Sequence, residues 1–281
     1  MILMPVALIT GASRGLGLSL AHGLAERGWT LIVTARGVDE LAWAAADLRT
    51  ETKVVTVTGD VADPDHRREI ARTVAALGSL DLLVNNAGTL GISPLPAIAD
   101  YPAQALEEAF RINTVAPLAL IQLLLPQLAA AGGIVVNVTS DASVEAYPGW
   151  GGYGASKAAL DHITGTLAAE NPELRFYAVD PGDMRTAMHQ EAFPGEDISD
   201  RPEPGTVVPG LLNLLDRRPE SGRHRASGFA AGGASRATGT AGTTGATDTS
   251  NTTGTTGKTD SPGNSGDSSG SSTVTLEEVP R

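Results

Sequence analysis

Six short runs rich in Val, Ile, Leu and Thr recur along the chain, at Val6–Thr10, Thr30–Ala35, Val54–Thr58, Leu80–Asn85, Gly133–Thr139 and Leu174–Val179. Most are nearly continuous in aliphatic residues instead of alternating with polar ones, the pattern of parallel strands covered on both faces. Longer stretches between them predict helices over Gly15–Arg27, Val38–Thr50, Pro64–Leu77, Ala103–Ala131 and Tyr153–Glu170. Gly28 suits the residue just past a helix end, and Asp63-Pro64 forms a cap followed by a first-turn proline. Pro117 and Pro126 predict breaks in the fourth helix, and Asn171-Pro172 stops the fifth. Repeated strand–helix–strand units imply an α/β protein with a doubly wound parallel sheet and helices on both faces.

Composition divides the chain at about residue 230. Residues 231–281 hold 10 Gly, 13 Thr and 8 Ser, with Val274, Leu276 and Val279 as their only larger aliphatics. Such a segment buries too little apolar surface to offset its ordering entropy and is predicted to be a disordered tail, with Thr273–Val279 the one stretch suited to docking. Residues 1–230 suffice for one domain. The net charge of −12 and the lack of a basic run argue against nucleic-acid or anionic-membrane partners. With no Cys, thiolate catalysis, disulfides and Cys-ligated zinc are excluded, which fits a reducing, cytoplasmic location. The apolar opening MILMPVALIT has no preceding basic segment and no cleavage site after it. No run approaches the ~20 apolar residues of a membrane span.

Chemistry concentrates where strands end. The first strand is followed by TGASRGLG, with Gly11, Gly15 and Gly17 framing Ser13, Arg14 and Leu16. A glycine-rich turn into a helix leaves main-chain N–H groups free at the positive end of the helix dipole, where a pyrophosphate can sit. A tight corner with no ligand is the alternative. The second strand ends in Thr34-Ala35-Arg36. An acid there would bond the ribose 2′-hydroxyl of NAD, whereas Arg36 together with Arg14 favours the 2′-phosphate of NADP. Asp39 is a nearby rival that leaves NAD open.

Tyr153 and Lys157 share one face of a predicted helix. A free phenol has a pKa near 10, and lowering it by about three units takes about 4 kcal/mol of cationic stabilisation. An ammonium beside it and an oxidised nicotinamide could supply that. Ser140, at the end of the preceding strand, brings a hydroxyl to the same region, with Thr139 and Ser143 as alternatives.

TGASRGLG, Asp60-Val61, NNAG (Asn85–Gly88), Asn113, Ser140, Tyr153-x-x-x-Lys157 and Pro181-Gly182-x-x-x-Thr186 occur in the order and spacing of the short-chain dehydrogenase/reductase family. The resemblance covers about residues 1–228, and the glycine spacing is similar to the shorter oxidoreductase branch. It implies a Rossmann-like fold and an NADP(H)-dependent oxidoreductase interconverting a carbonyl and a secondary alcohol, with a small-molecule substrate. Tyr153 would be the acid/base, Lys157 would lower its pKa and hold the nicotinamide ribose, and Ser140 would bond the substrate oxygen. Asn113 would fix a water linking Lys157 to solvent. Asp60 and Val61 would contact adenine, and Asn85, Asn86, Ala87 and Gly88 would line the adenosine side and support the sheet. Thr186 would bond the carboxamide, with Pro181 and Gly182 bringing backbone close to the nicotinamide. A non-catalytic dinucleotide-binding regulator or scaffold is the alternative that keeps the fold.

Departures from the pattern are informative. Asp141-Ala142-Ser143 lacks the glycine common after the serine, and the final-strand region SGRHRASGF (Ser221–Phe229) is short and charged. Relatives use that strand in tetramers, so a homodimer through the helices around Ala103–Ala131 and Tyr153–Glu170 is expected instead. Ala187–Pro204 reads as a loop over the substrate, with His189 either an exposed loop histidine, the favoured reading, or a contact to the substrate. Tyr147 and Trp150 flank the site. The other histidines have no metal-ligand spacing, so no metal is expected.

Overall fold

The computed structural model describes residues 4–230, so the segment 231–281 and its predicted disorder lie outside the described residues. Seven strands form one parallel sheet in the order β3-β2-β1-β4-β5-β6-β7. They are β1 (Val6–Thr10), β2 (Thr30–Ala35), β3 (Val54–Thr58), β4 (Leu82–Asn85), β5 (Ile134–Val138), β6 (Arg175–Asp180) and β7 (Gly222–Arg225). The helices are α1 (Gly15–Ala25), α2 (Val38–Leu48), α3 (Pro64–Leu77), α4 (Ala103–Phe110), α5 (Ala116–Ala131), α6 (Gly151–Glu170), α7 (Ala187–Ala192) and α8 (Val208–Arg217).

Register turns the strand sequences into two cores. Ile32, Leu8, Leu83, Val135 and Phe176 stand side by side across β2, β1, β4, β5 and β6. They pack against Ile70 and Val74 of α3 and Leu120, Ile121, Leu124 and Leu128 of α5. Their neighbours one residue along point to the other face, as the period of two requires. There Ile9, Val33, Val84, Val136 and Tyr177 meet α1, α2 and α8. Both faces are covered, which is why the strands read as continuous aliphatic runs.

Most predicted boundaries hold to within two residues. Gly28 has a φ of +75° just past α1, and the Asp63 side chain accepts from the Asp65 amide, 2.9 Å away, with Pro64 opening α3. The break predicted at Pro126 does not occur. α5 runs through it, because Pro126 is exposed and the carbonyl it leaves unpaired, that of Gln122, also lies on the solvent side. The irregularity lies before Pro117 instead, as a wide π-helical turn over Arg111–Val115. Helical structure is therefore continuous over Ala103–Ala131, and this stretch is long and apolar enough to cross a membrane by length and composition, contrary to the expectation from sequence. Its apolar residues are used as the crossover between β4 and β5. The charged segment Ser221–Phe229 does form a strand, β7, in parallel register with β6 from Tyr177–Gly222 to Asp180–Arg225.

Candidate functional site

A cavity of about 690 Å³ opens at the carboxyl ends of the strands, over the reversal of strand order between β1 and β4. Open α/β sheets bind ligands at this position.

The glycine turn brings Gly11, Ser13, Arg14, Gly15 and Leu16 to one end of the cavity. Gly11 and Gly15 have φ of +66° and +58°, which a side chain would strain. α1 begins with no side-chain cap and no acid in its first turn, so its free N–H groups and positive dipole end face the cavity unopposed. Gly17 does not line the cavity. It is packed beneath the turn, where a Cβ would lie 2.5 Å from the Gly11 carbonyl oxygen and 2.6 Å from the Asn86 amide nitrogen. Asn86 reaches the lining while its side-chain amide donates to the Thr10 and Gly11 carbonyls. The Thr10 hydroxyl, whose role the sequence reading missed, accepts from the amides of Asn86 and Ala87, both at 3.0 Å. It thereby ties β1 to the NNAG segment.

Arg36, Asp60, Val61, Ala87 and Gly88 also line the cavity, with Gly88 beside Asn113 and Lys157. Asp39 is not in the lining; Glu40 is, its carboxylate folded over Gly37. Asn85 is also outside it, buried in the sheet with its amide donating to Asn137 and Asn137 donating to Thr164. Its part is to support the sheet alone.

Ser140, Tyr153 and Lys157 meet at the other end. Tyr153 and Lys157 are one turn apart at the start of α6, 8% and 4% exposed, with the Lys157 Nζ 5.7 Å from the centre of the Tyr153 ring. Nζ also donates to the Val138 carbonyl at 2.8 Å. Burial pushes Lys157 down to about 8, against the pull of Asp161. The phenol of Tyr153 is driven up by burial and then by Asp180, Asp141 and Asp161, while the Ser140 hydroxyl draws it down. In the protein alone Tyr153 thus shifts opposite to the expected direction, because desolvation and three carboxylates outweigh the hydrogen bond from Ser140. Ser140 caps the short turn Asp141–Ser143. Of its alternatives, Ser143 is occupied with the Ser140 carbonyl and Asp161, and the Thr139 hydroxyl is buried without a partner among the described residues.

Asn113 sits in the π-helical turn, fully buried behind Gly88 and Lys157. Its Oδ1 accepts from the Thr89 amide, and its Nδ2 donates to the Thr89 carbonyl and Ser156 hydroxyl. Both Nδ2 protons and one Oδ1 acceptor site are therefore used as a brace, which leaves the second Oδ1 site and the backbone of the widened turn for the water inferred from the resemblance.

Pro181, Gly182 and Thr186 complete the lining beyond β6, with Gly182 at a φ of +78°. Asp180, another residue the sequence reading missed, accepts from the Gly182 amide at 2.9 Å and sets this turn. The segment expected as a loop begins with α7, capped by the Thr186 hydroxyl accepting from the His189 amide. That hydroxyl keeps its own proton free to donate. His189 is half-buried against Phe193 and lines the cavity with Met188, unlike the exposed histidine expected. Trp150 lines it too, edge-on to Tyr153 at 5.8 Å. Tyr147 lies outside, its hydroxyl on Glu145 and Asp141. Among the described residues no group of three or more His, Asp or Glu side chains could hold a metal ion.

The family profile for short chain dehydrogenases matches residues 5–197. The chain is 34% identical over 207 residues to 2-(R)-hydroxypropyl-CoM dehydrogenase of Xanthobacter autotrophicus, covering 70% of this chain and 81% of that protein. It is 34% identical over 225 residues to sepiapterin reductase of Xenopus laevis, covering 72% and 85%. A solved short chain dehydrogenase from Shigella flexneri, complexed with NADP, shares the fold with a TM-score of 0.75 at 30% identity, over 80% of this chain and 98% of that one. Given the extent of the profile match, the chain belongs to the short-chain dehydrogenase/reductase family of oxidoreductases.

Proposed function

We propose that this oxidoreductase interconverts a carbonyl and a secondary alcohol with NADP(H), and that Tyr153 exchanges the proton with the substrate oxygen. The observation that carries the reading is the convergence of Ser140, Tyr153 and Lys157 on the cavity that also receives the uncapped start of α1. The lining fits a dinucleotide. A Cβ on Gly88 would crowd Asn113 Oδ1 at 3.2 Å and lie 3.7 Å from Lys157 and Met188, where the nucleotide would pass.

The turn Arg14–Leu16 would hold the pyrophosphate through main-chain N–H groups, and Arg14 with Arg36 the 2′-phosphate, against the opposing charge of Glu40. Asp60 and Val61 would border the adenine, and Ala87 and Gly88 would line the nucleotide's path. Lys157 would bond the ribose and Thr186 the carboxamide. A nicotinamide held there would supply or accept the hydride. Tyr153 gives its proton to the oxygen in reduction and takes it in oxidation, while Ser140 donates a hydrogen bond that fixes that oxygen. Because the protein alone holds the phenol up, its ionisation for oxidation depends on positive charge in the cavity. A cytoplasmic homodimer through α5 and α6 belongs to the same reading.

Tyr153→Phe tests it. Turnover of carbonyls or alcohols is expected to fall by about 10²–10⁴-fold, while NADPH still quenches tryptophan fluorescence and binds more tightly than NADH. Parent-like turnover in this variant would refute the role of Tyr153, and equal affinity for the two nicotinamides would refute the preference.

A further inference from the structure

We propose that Arg223 of β7 is a positioning residue for this reaction, holding the turn that aims Ser140 and neutralising the carboxylates behind Tyr153. The inference rests on the reading of Ser140 and Tyr153 given above. Arg223 donates through Nη2 to the Ser140 carbonyl at 2.9 Å and through Nε to Asp161 at 3.2 Å, and its Nη2 lies 3.4 Å from Asp180. One guanidinium thus joins β7, the Ser140 turn, α6 and the end of β6. The Ser140 carbonyl has two acceptor sites. The Ser143 amide and Arg223 both donate to it, and the Ser143 hydroxyl lies between it, at 2.7 Å, and Asp161, at 2.6 Å, so Arg223 and Ser143 grip the same two acceptors.

The charges facing this region come from every packed element. Lys157 and Asp161 lie on α6, Asp141 and Glu145 on the segment after β5, Asp180 on β6, Arg223 and Arg225 on β7, and His189 on α7. Asp180 is 6% exposed and Asp161 14%, so leaving either without a counter-charge is costly. Arg225 also reaches Asp180, at 3.4 Å, and Glu145, but it is largely exposed and screened. Arg223, 26% exposed, is the better-shielded counter-charge. Both carboxylates that it pairs with raise the phenol of Tyr153.

The test compares Arg223→Gln and Arg223→Lys with the parent and with Tyr153→Phe. Oxidation is followed with whichever of 2-butanol, cyclohexanol and 1-phenylethanol is turned over with NADP⁺. In parallel, the phenolate absorbance that Tyr153→Phe removes is titrated in the NADP⁺ complex, a readout that needs no turnover. Loss of the guanidinium in Arg223→Gln is expected to move both midpoints up by about one pH unit, an approximately tenfold loss of kcat/KM below the midpoint, with the KM for NADP⁺ unchanged. Arg223→Lys keeps the charge but not the forked contact, so its midpoint returns toward the parent while kcat stays low. An unmoved midpoint in folded Arg223→Gln overturns the proposal. If that variant does not fold, parent-like kcat in Arg223→Lys overturns it. An active Tyr153→Phe would instead defeat the underlying reading, whereas an inactive one with an unmoved Arg223→Gln midpoint defeats only the role of Arg223.

Discussion

The Lys157 ammonium has given up water for the Val138 carbonyl, and burial lowers its pKa from 10.5 to about 8. This shift is also a statement about stability. Between about pH 8 and pH 10 the native lysine has lost its proton while the unfolded chain keeps it. The unfolded state then binds more protons, and stability rises with pH. Above pH 10 the trend reverses through Tyr153, whose buried phenol keeps a proton that the unfolded chain releases. Urea unfolding across this range should show the parent gaining about 2–3 kcal/mol between pH 8 and 10 relative to Lys157→Met. Parallel curves for the two proteins would mean that Lys157 is not charged at neutral pH at the expense of stability. Single residues also mark where sequence reading reaches its limit. Tyr153 and Ser140 were legible because spacing along a helix or from a strand end fixes their position, and Thr186 only through the family motif it completes. Asn113 was legible as a position but not as a brace, because its partners Thr89 and Ser156 lie 24 and 43 residues away.

Elements whose pattern is local were the easiest to read. The first three strands and α3 match their predicted limits, because aliphatic runs and Asp63-Pro64 act within a few residues. The irregularity near Pro117 was legible from the proline, but not its form as a π-helical turn, since a single inserted residue is hard to tell from ordinary irregularity in apolar spacing. β7 was discounted because its Arg and His residues are not aliphatic; its strand form comes from pairing with β6 and from acids elsewhere in the chain. The glycine turn depends on close packing as well as on free amides. Gly17→Ala should cost about 1–3 kcal/mol and weaken NADPH binding, since the new methyl would displace the Gly11 carbonyl and Asn86. Gly165→Ala on the exposed side of α6, with nothing within 4 Å of the added methyl, should instead stabilise by about 0.5–1 kcal/mol. Thermal and urea unfolding of the pair separates a packing requirement at Gly17 from a general effect of glycine in helices. Equal shifts would refute it.

At the scale of the whole molecule, everything assigned to fold and chemistry falls within the described residues 4–230. All seven strands form one sheet, and each residue lining the cavity precedes Gly205. The last elements still matter. β7 supplies Arg223, Phe229 packs on the core that includes α8, and its carbonyl accepts from the Asn213 amide at 2.9 Å. Two truncations therefore differ in outcome. A chain ending at Ala230 keeps every contact described and should match the full chain in urea midpoint, NADPH affinity and turnover. A chain ending at Ser221 loses β7, uncovers the β6 edge and leaves Asp161 and Asp180 without Arg223, so it should unfold at lower urea and lose turnover. If the chain ending at Ala230 were destabilised as much as the shorter one, residues 231–281 would have to contribute to the core. The composition argument, which rests on their scarcity of larger apolar side chains, would then fail.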